Sequence, residues 1–264
     1  SSYGNPAGVA LAPLKERIYV TAPEMSDLAV IDAENLSILK RVKVGQGPLG
    51  IAVHPKDGRI LVADWYQHRL IIVNPSSLEV SASIDVGLSP SGVAVTPNGQ
   101  KILTADRDSD QVSIIDSASL SVLGTVKTGE RPFGITIDPL GKRAYTANVK
   151  SDNVSVIDLD TLTFIQNLPV GHRPYAVALS GKRLFVTNQY DSSISVLETE
   201  TGFSLDTLHV GGYPEGIEAE EGGRFVYVAC WDDNALFKID AETLKVVSRI
   251  EVGEGPRAFG KFLN

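Results

Sequence analysis

The chain has almost no cysteine, no long apolar run and no surplus of basic charge, and each shortage removes a class of protein. Cys230 is the single cysteine among 264 residues, so neither an intrachain disulfide nor a cysteine-built metal site can form. No stretch approaches the roughly 18 consecutive apolar residues of a membrane span. A charged n-region followed by an apolar segment is missing from the start. The opening SSYGNP fits a cytoplasmic start or an end left by signal removal. Lys and Arg number 24 against 32 Asp and Glu, a net charge of −8, so no nucleic-acid partner is expected. G-x-x-x-x-G-K-[ST], G-x-S-x-G and H-E-x-x-H do not occur, which leaves nucleotide cradling, the hydrolase elbow and zincin chemistry unsupported. Four histidines (His54, His68, His172 and His209) lack metal-ligand spacing, and N-x-[ST] triplets begin at Asn35 and Asn153. No segment keeps a helical period for three turns.

What the sequence has is repetition. VGQGPLGIAVHP (44–55) returns as VGLSPSGVAVTP (86–97) and TGERPFGITIDP (128–139). Its proline falls at Pro6, Pro48, Pro90, Pro132, Pro174, Pro214 and Pro256, at intervals of 42 with a single 40. The short interval lies where LSGKR (179–183) replaces VTPNGQK (95–101). Six repeats follow one another without a linker, so residues 1–264 read as one domain.

Each repeat reads as four short strands rich in Val, Ile, Leu and Tyr, punctuated by Gly, Pro, Asn and Asp. In the first repeat they are GVALAP, RIYVTA, DLAVID and KRVKVG. A period near 40 residues with four strands per unit predicts an all-β propeller of four-stranded antiparallel blades. One such sheet cannot bury both faces, whereas blades stacked face to face in a ring can. Six blades are complete, and RAFGKFLN (257–264) supplies one further strand. The preferred reading is six blades with that strand as a latch near the first. The alternative is a seven-bladed ring whose incomplete last blade is finished by other residues.

RIYVTA, LFVTN and NVSVIDLDTL resemble the YVTN family of β-propeller repeats, over residues 4–264. The resemblance implies a ring-shaped scaffold, often exported, so an extracytoplasmic location is expected and a cytoplasmic one stays open. It assigns no activity.

Candidate site residues are those where the repeats disagree in the loops, which carry function more often than strands do. GERPF and GHRPY place Arg131 with Phe133 and Arg173 with Tyr175, with His172 alongside. Guanidinium groups beside rings can hold a carboxylate or a planar ligand; equally, each Arg can pair with an acidic loop. The loop after the second strand carries both tryptophans, Trp65 and Trp231, and also Arg107. An exposed Trp is a recognition hot spot, a buried one a packing residue. Asp64, Asp106, Asn148 and Asn188 end the second strands. Such oxygens could form a Ca²⁺ site or, as Asx residues do, close turns through nearby backbone. Glu218 replaces the Ala or Thr of other inner strands and is expected to face a wet channel or Arg257, because an unpaired buried charge is costly.

The leading expectation is a non-enzymatic scaffold, with no resident cofactor, that binds a protein or small ligand on the loop face. The runner-up is a metal-dependent lactonase- or esterase-like hydrolase using Asp64, Asp106, Asn148 and Asn188, with Glu218 nearby. A third reading is an adhesion or surface-layer repeat module.

Overall fold

The computed structural model describes residues 5–12 and 16–263. Pro13, which ends the first inner strand in the sequence reading, lies outside them, as does Asn264. Six four-stranded antiparallel blades occupy residues 8–43, 48–85, 90–127, 132–169, 174–209 and 214–251, each strand pairing with the next in sequence. The protein is thus an all-β, six-bladed propeller.

The recurring Pro-x-Gly is where each blade begins at the channel. In five blades the register of the innermost strand slips between the proline and the third residue on, as between Pro48 and Ile51. This bulge turns the chain sharply from the loop into the strand. The glycine is demanded by the neighbouring blade. A Cβ at Gly50 would lie 1.8 Å from the carbonyl oxygen of Ser91, because inner strands approach too closely for a side chain there.

Alternation then sends one face of each sheet forward and the other back. Tyr19, Leu28, Val30 and Val42 of the first blade pack on Ile51, Ile60, Val62 and Ile71 of the second. Equivalent clusters fill the next four seams. Fully burying one such side chain is worth about 1.5–3 kcal/mol, so these five seams dominate the stability. A polar latch reinforces each of them. Arg17, Arg59, Lys101, Arg143 and Arg183 each donate to a carbonyl of the blade ahead, those of Pro75, Ser117, Leu159, Thr199 and Ala241.

The sixth seam is built differently. Among the described residues no apolar cluster joins the sixth blade to the first, and Phe225 holds the position the latching cations occupy elsewhere. The ring is bridged there by the terminal strand Phe259–Lys261, which runs parallel to Gly8–Leu11 with Gly8 opposite Phe259. This is the latch anticipated from RAFGKFLN. The inner strands and the terminal strand enclose a channel of about 540 Å³, lined mainly by Ala, Val, Ile and Gly, with Glu218 on its wall.

Candidate functional site

Loops from the fourth strand to the next blade and from the second strand to the third meet at one end of the channel. The Asx residues bind them together. Asp64, fully buried, accepts from the backbone N–H groups of Gln46 and Gly47 at 3.2 and 3.0 Å and from Arg69 Nε at 3.4 Å. Asp106 accepts from Gly87 N at 3.0 Å, Thr104 Oγ1 at 2.7 Å and Ser113 Oγ at 2.5 Å. Burial raises its pKa against the pull of those donors. Asn148 and Asn188 donate to Ser155 and Ser195 in their own blades, at 2.8 and 2.9 Å.

The glycine of the repeated VG belongs to the same arrangement. A Cβ at Gly87 would sit 2.6 Å from the Asp106 side chain, and one at Gly129 would sit 2.7 Å from Asn148. These residues are therefore held inside their own blades. Among the described residues no three His, Cys, Asp or Glu side chains gather as a metal cage. Among the side-chain polar atoms of the described residues, only Asn148 Oδ1 and Asn188 Oδ1 are buried without a partner, and two neutral oxygens fall short of the 6–8 that Ca²⁺ takes. The four residues do not fit a cation.

The loop face divides into two aromatic groups. The first is a plug over the channel mouth. Phe133 packs 4.2 Å from Tyr175, 5.0 Å from Phe259 and 6.3 Å from Trp65, centroid to centroid. Arg107 stacks over Trp65 at 5.3 Å while pairing with Asp108 at 2.6 Å. Trp65, Phe133, Tyr175 and Arg107 are thus largely engaged with one another. Burial, with Glu215 nearby, raises the pKa of the Tyr175 phenol.

The second group is an open arc over the fifth and sixth blades. Tyr190, Tyr213 and Trp231 follow one another at 6.3 and 6.1 Å. Arg173 lies over Tyr190 at 4.9 Å and Arg257 over Trp231 at 6.0 Å, so a guanidinium caps each end. Tyr190 is 65% and Trp231 41% exposed. Beneath them the buried Glu215 receives Gln189 Nε2 at 3.2 Å and Arg257 Nε at 3.5 Å. Burial raises the Glu215 pKa, and the charges of Arg257 and Arg173 oppose that rise. Arg173 Nε is fixed by Gln189 Oε1 at 2.7 Å. Both Arg173 and Tyr213 sit at positive φ, 55° and 52°, a backbone state costing roughly 1–2 kcal/mol for a non-glycine residue.

Of the sequence candidates, Arg173 and Trp231 join the arc, while Trp65, Arg107, Phe133 and Tyr175 form the plug. Arg131 is exposed and outside both. His172 is exposed, with Nδ1 3.0 Å from Asp191 Oδ1, and its hydrogen bond to Asp191 raises its pKa. Glu218 lines the channel and accepts from the backbone N–H groups of Phe262 and, at 2.7 Å, Leu263. Arg257 pairs with Glu215 instead. Sequence reasoning missed Tyr190 and Gln189. They stand in a loop, QYDSS, that differs from its copies, but nothing in the sequence turns that loop toward Tyr213.

Blade period, strand count and loop-face geometry together define a β-propeller repeat protein. The comparisons place it among known folds. A family described as "Lactonase, 7-bladed beta-propeller" matches residues 73–164, and the NHL repeat matches residues 46–72. Among solved structures the chain is similar to Kuenenia stuttgartiensis hydrazine synthase, with TM-score 0.86 and 19% identity over 98% of this chain and 90% of that one. It is also similar to a functionally unknown protein from Desulfotomaculum acetoxidans DSM 771, with TM-score 0.83 and 15% identity over 98% and 89%. Both likenesses are of fold. No curated protein matches the chain. No helix among the described residues is long and apolar enough to cross a membrane.

Proposed function

We propose that the protein is a non-enzymatic propeller of the YVTN type that binds a protein or small ligand on its loop face, outside the cytoplasm. The observation that carries this reading is the run Arg173–Tyr190–Tyr213–Trp231–Arg257, in which Tyr190, Trp231 and Arg257 are exposed and Arg173 and Tyr213 half-buried. Three rings with a guanidinium at each end suit an anionic planar or aromatic group, held by stacking, cation–π contact and charge.

Trp231 reports on this surface. In the Trp65→Phe variant it is the one remaining tryptophan. A panel of aromatic carboxylates and acidic peptides is expected to contain a member that quenches it saturably. Tyr190→Ala with Arg173→Ala should abolish that quenching. A panel that leaves the fluorescence flat at millimolar concentration overturns the reading. Fractionation of expressing cells tests the location.

A second reading, a lactonase- or esterase-like hydrolase, is favoured by the family match over residues 73–164. Hydrolysis of a lactone series with and without added Ca²⁺ tests it, and turnover under either condition would displace the first reading.

A further inference from the structure

The two faces turned toward the sixth seam are the faces that bury one another in the other five. Ile60, Val62, Ile71 and Val73 of the second blade are closed off against the first, and Leu78 is 9% exposed. Their counterparts one repeat earlier are Ile18, Val20, Ala29, Ile31 and Leu36. These line an open groove of about 340 Å³ with Ile38, and Leu36 is 68% exposed. The sixth blade shows the same departure. Ile250 is 45% exposed where its counterpart Val42 is 7% exposed. Tyr227 is half-buried where Tyr19, Leu61, Leu103, Tyr145 and Phe185 are buried. Lys238 stands where Val30, Ile72, Ile114, Val156 and Val196 form the core, with Nζ 3.7 Å from the Phe225 ring centroid.

At the channel the terminal segment touches both blades. A Cβ at Gly216 would meet the carbonyl oxygen of Ala258, as one at Gly50 would meet Ser91, and one at Gly260 would meet that of Val9 at 2.4 Å. The terminal strand therefore lies between the innermost strands of the sixth and first blades, paired with the latter as a fifth strand of its sheet. Three further strands lie outside the inner strand in every complete blade. The family matched at residues 73–164 is described as seven-bladed.

We propose that the wedge between the sixth and first blades is a docking site for a three-stranded antiparallel β-segment with apolar residues on both faces. It would continue the stacking of the five closed seams. Its back face would meet Tyr227, Leu236 and Ile250, where a carboxylate would be drawn to Lys238. Its front face would cover Ile18, Val20, Ile31 and Leu36. A contiguous apolar wall of this kind left in water marks an interaction site. The inference is independent of the ligand on the loop face.

The chain supplies its own probe. Residues 143–168 are the second to fourth strands of a blade that is enclosed on both sides. A peptide of that sequence is added to the full protein, and in a second form the same residues are joined ahead of Ser1. The expected result is 1:1 binding, a rise in Tm of about 5 °C or more, and slowed hydrogen exchange at residues 17–43 and 225–251. Ile38→Asp alters a side chain already exposed, so the free protein folds normally while peptide affinity falls at least tenfold. Unchanged exchange at both walls in the joined form, where the segment cannot diffuse away, overturns the proposal. So does a dimer, seen by light scattering, that protects the same residues without the peptide, since a second copy is then the occupant.

Discussion

Arg59 of the second blade reaches over its seam and hydrogen-bonds the carbonyl oxygen of Ser117 in the third, at 3.0 Å. The guanidinium also holds Ser117 Oγ at 2.8 Å and Asp57 at 2.9 Å. Removing a charged donor from such a partly buried set costs about 1.5–3 kcal/mol. Arg59→Met should therefore lower Tm, by roughly 2–4 °C per kcal/mol for a chain of this size. Phe225→Arg places the same cation where no blade stands ahead. It should leave stability within about 0.5 kcal/mol. Paired denaturant titrations of the two variants check the contrast.

Phe133 is the centre of the plug. It touches Tyr175, Phe259 and Trp65 and is buried. Phe133→Ala leaves a cavity under neighbours that belong to separate blades and cannot all collapse into it. The expected loss is about 3–5 kcal/mol, read from urea unfolding. Trp65 fluorescence should shift to the red as water enters.

Glu218 gives the protein a pH signature. Burial raises its pKa to about 7 from an ordinary 4.5, although the N–H groups of Leu263 and Phe262 pull the other way. The folded state thus binds the proton more tightly than the unfolded chain. Its contribution to stability is fully present below about pH 4.5 and is lost as pH rises through about 7. Glu218→Gln should remove this component, so the mutant's Tm relative to wild type rises between pH 5 and pH 8. Thermal melts across that range, at constant ionic strength, supply the comparison.

The arc and the plug should respond differently to truncation. Tyr190 and Trp231 are exposed, so Tyr190→Ala with Trp231→Ala should cost less than about 1 kcal/mol of stability. The same pair should eliminate binding of any ligand found through Trp231 quenching, as measured by calorimetry. A large loss of stability would instead make the rings structural.

The propeller was legible because its information is local and repeated. Proline spacing, alternating strands and VG turns each stand within one repeat. The turn role expected of Asp106 and Asn148 takes another form, since Asp106 accepts from Gly87 N in the loop entering its blade and Asn148 donates to the side chains of Asn153 and Ser155. The expected division of labour in the loops was less legible. Arg131 and Arg173 occupy equivalent positions, yet only Arg173 has Gln189 and Tyr190 to fix it. That difference depends on a neighbouring loop rather than on either arginine. The partners of Glu218 are backbone N–H groups, which any sequence supplies. The open seam left two traces, Phe225 in a column of cations and Lys238 in a column of aliphatic residues. Both were visible in the repeats, but only the missing neighbour gives them meaning.

The five latches all point one way around the ring, from each blade to the one ahead, and among the described residues the sixth seam has none. Stretched between its ends, the molecule would behave less like a closed hoop than like a row of clips sharing a single loose joint. The terminal strand would peel first, and blades would then detach singly from either lip of the gap. Each would release 40 or 42 residues of slack, about 130–150 Å of extended chain. A force–extension trace would show a regular ladder of steps instead of one collapse.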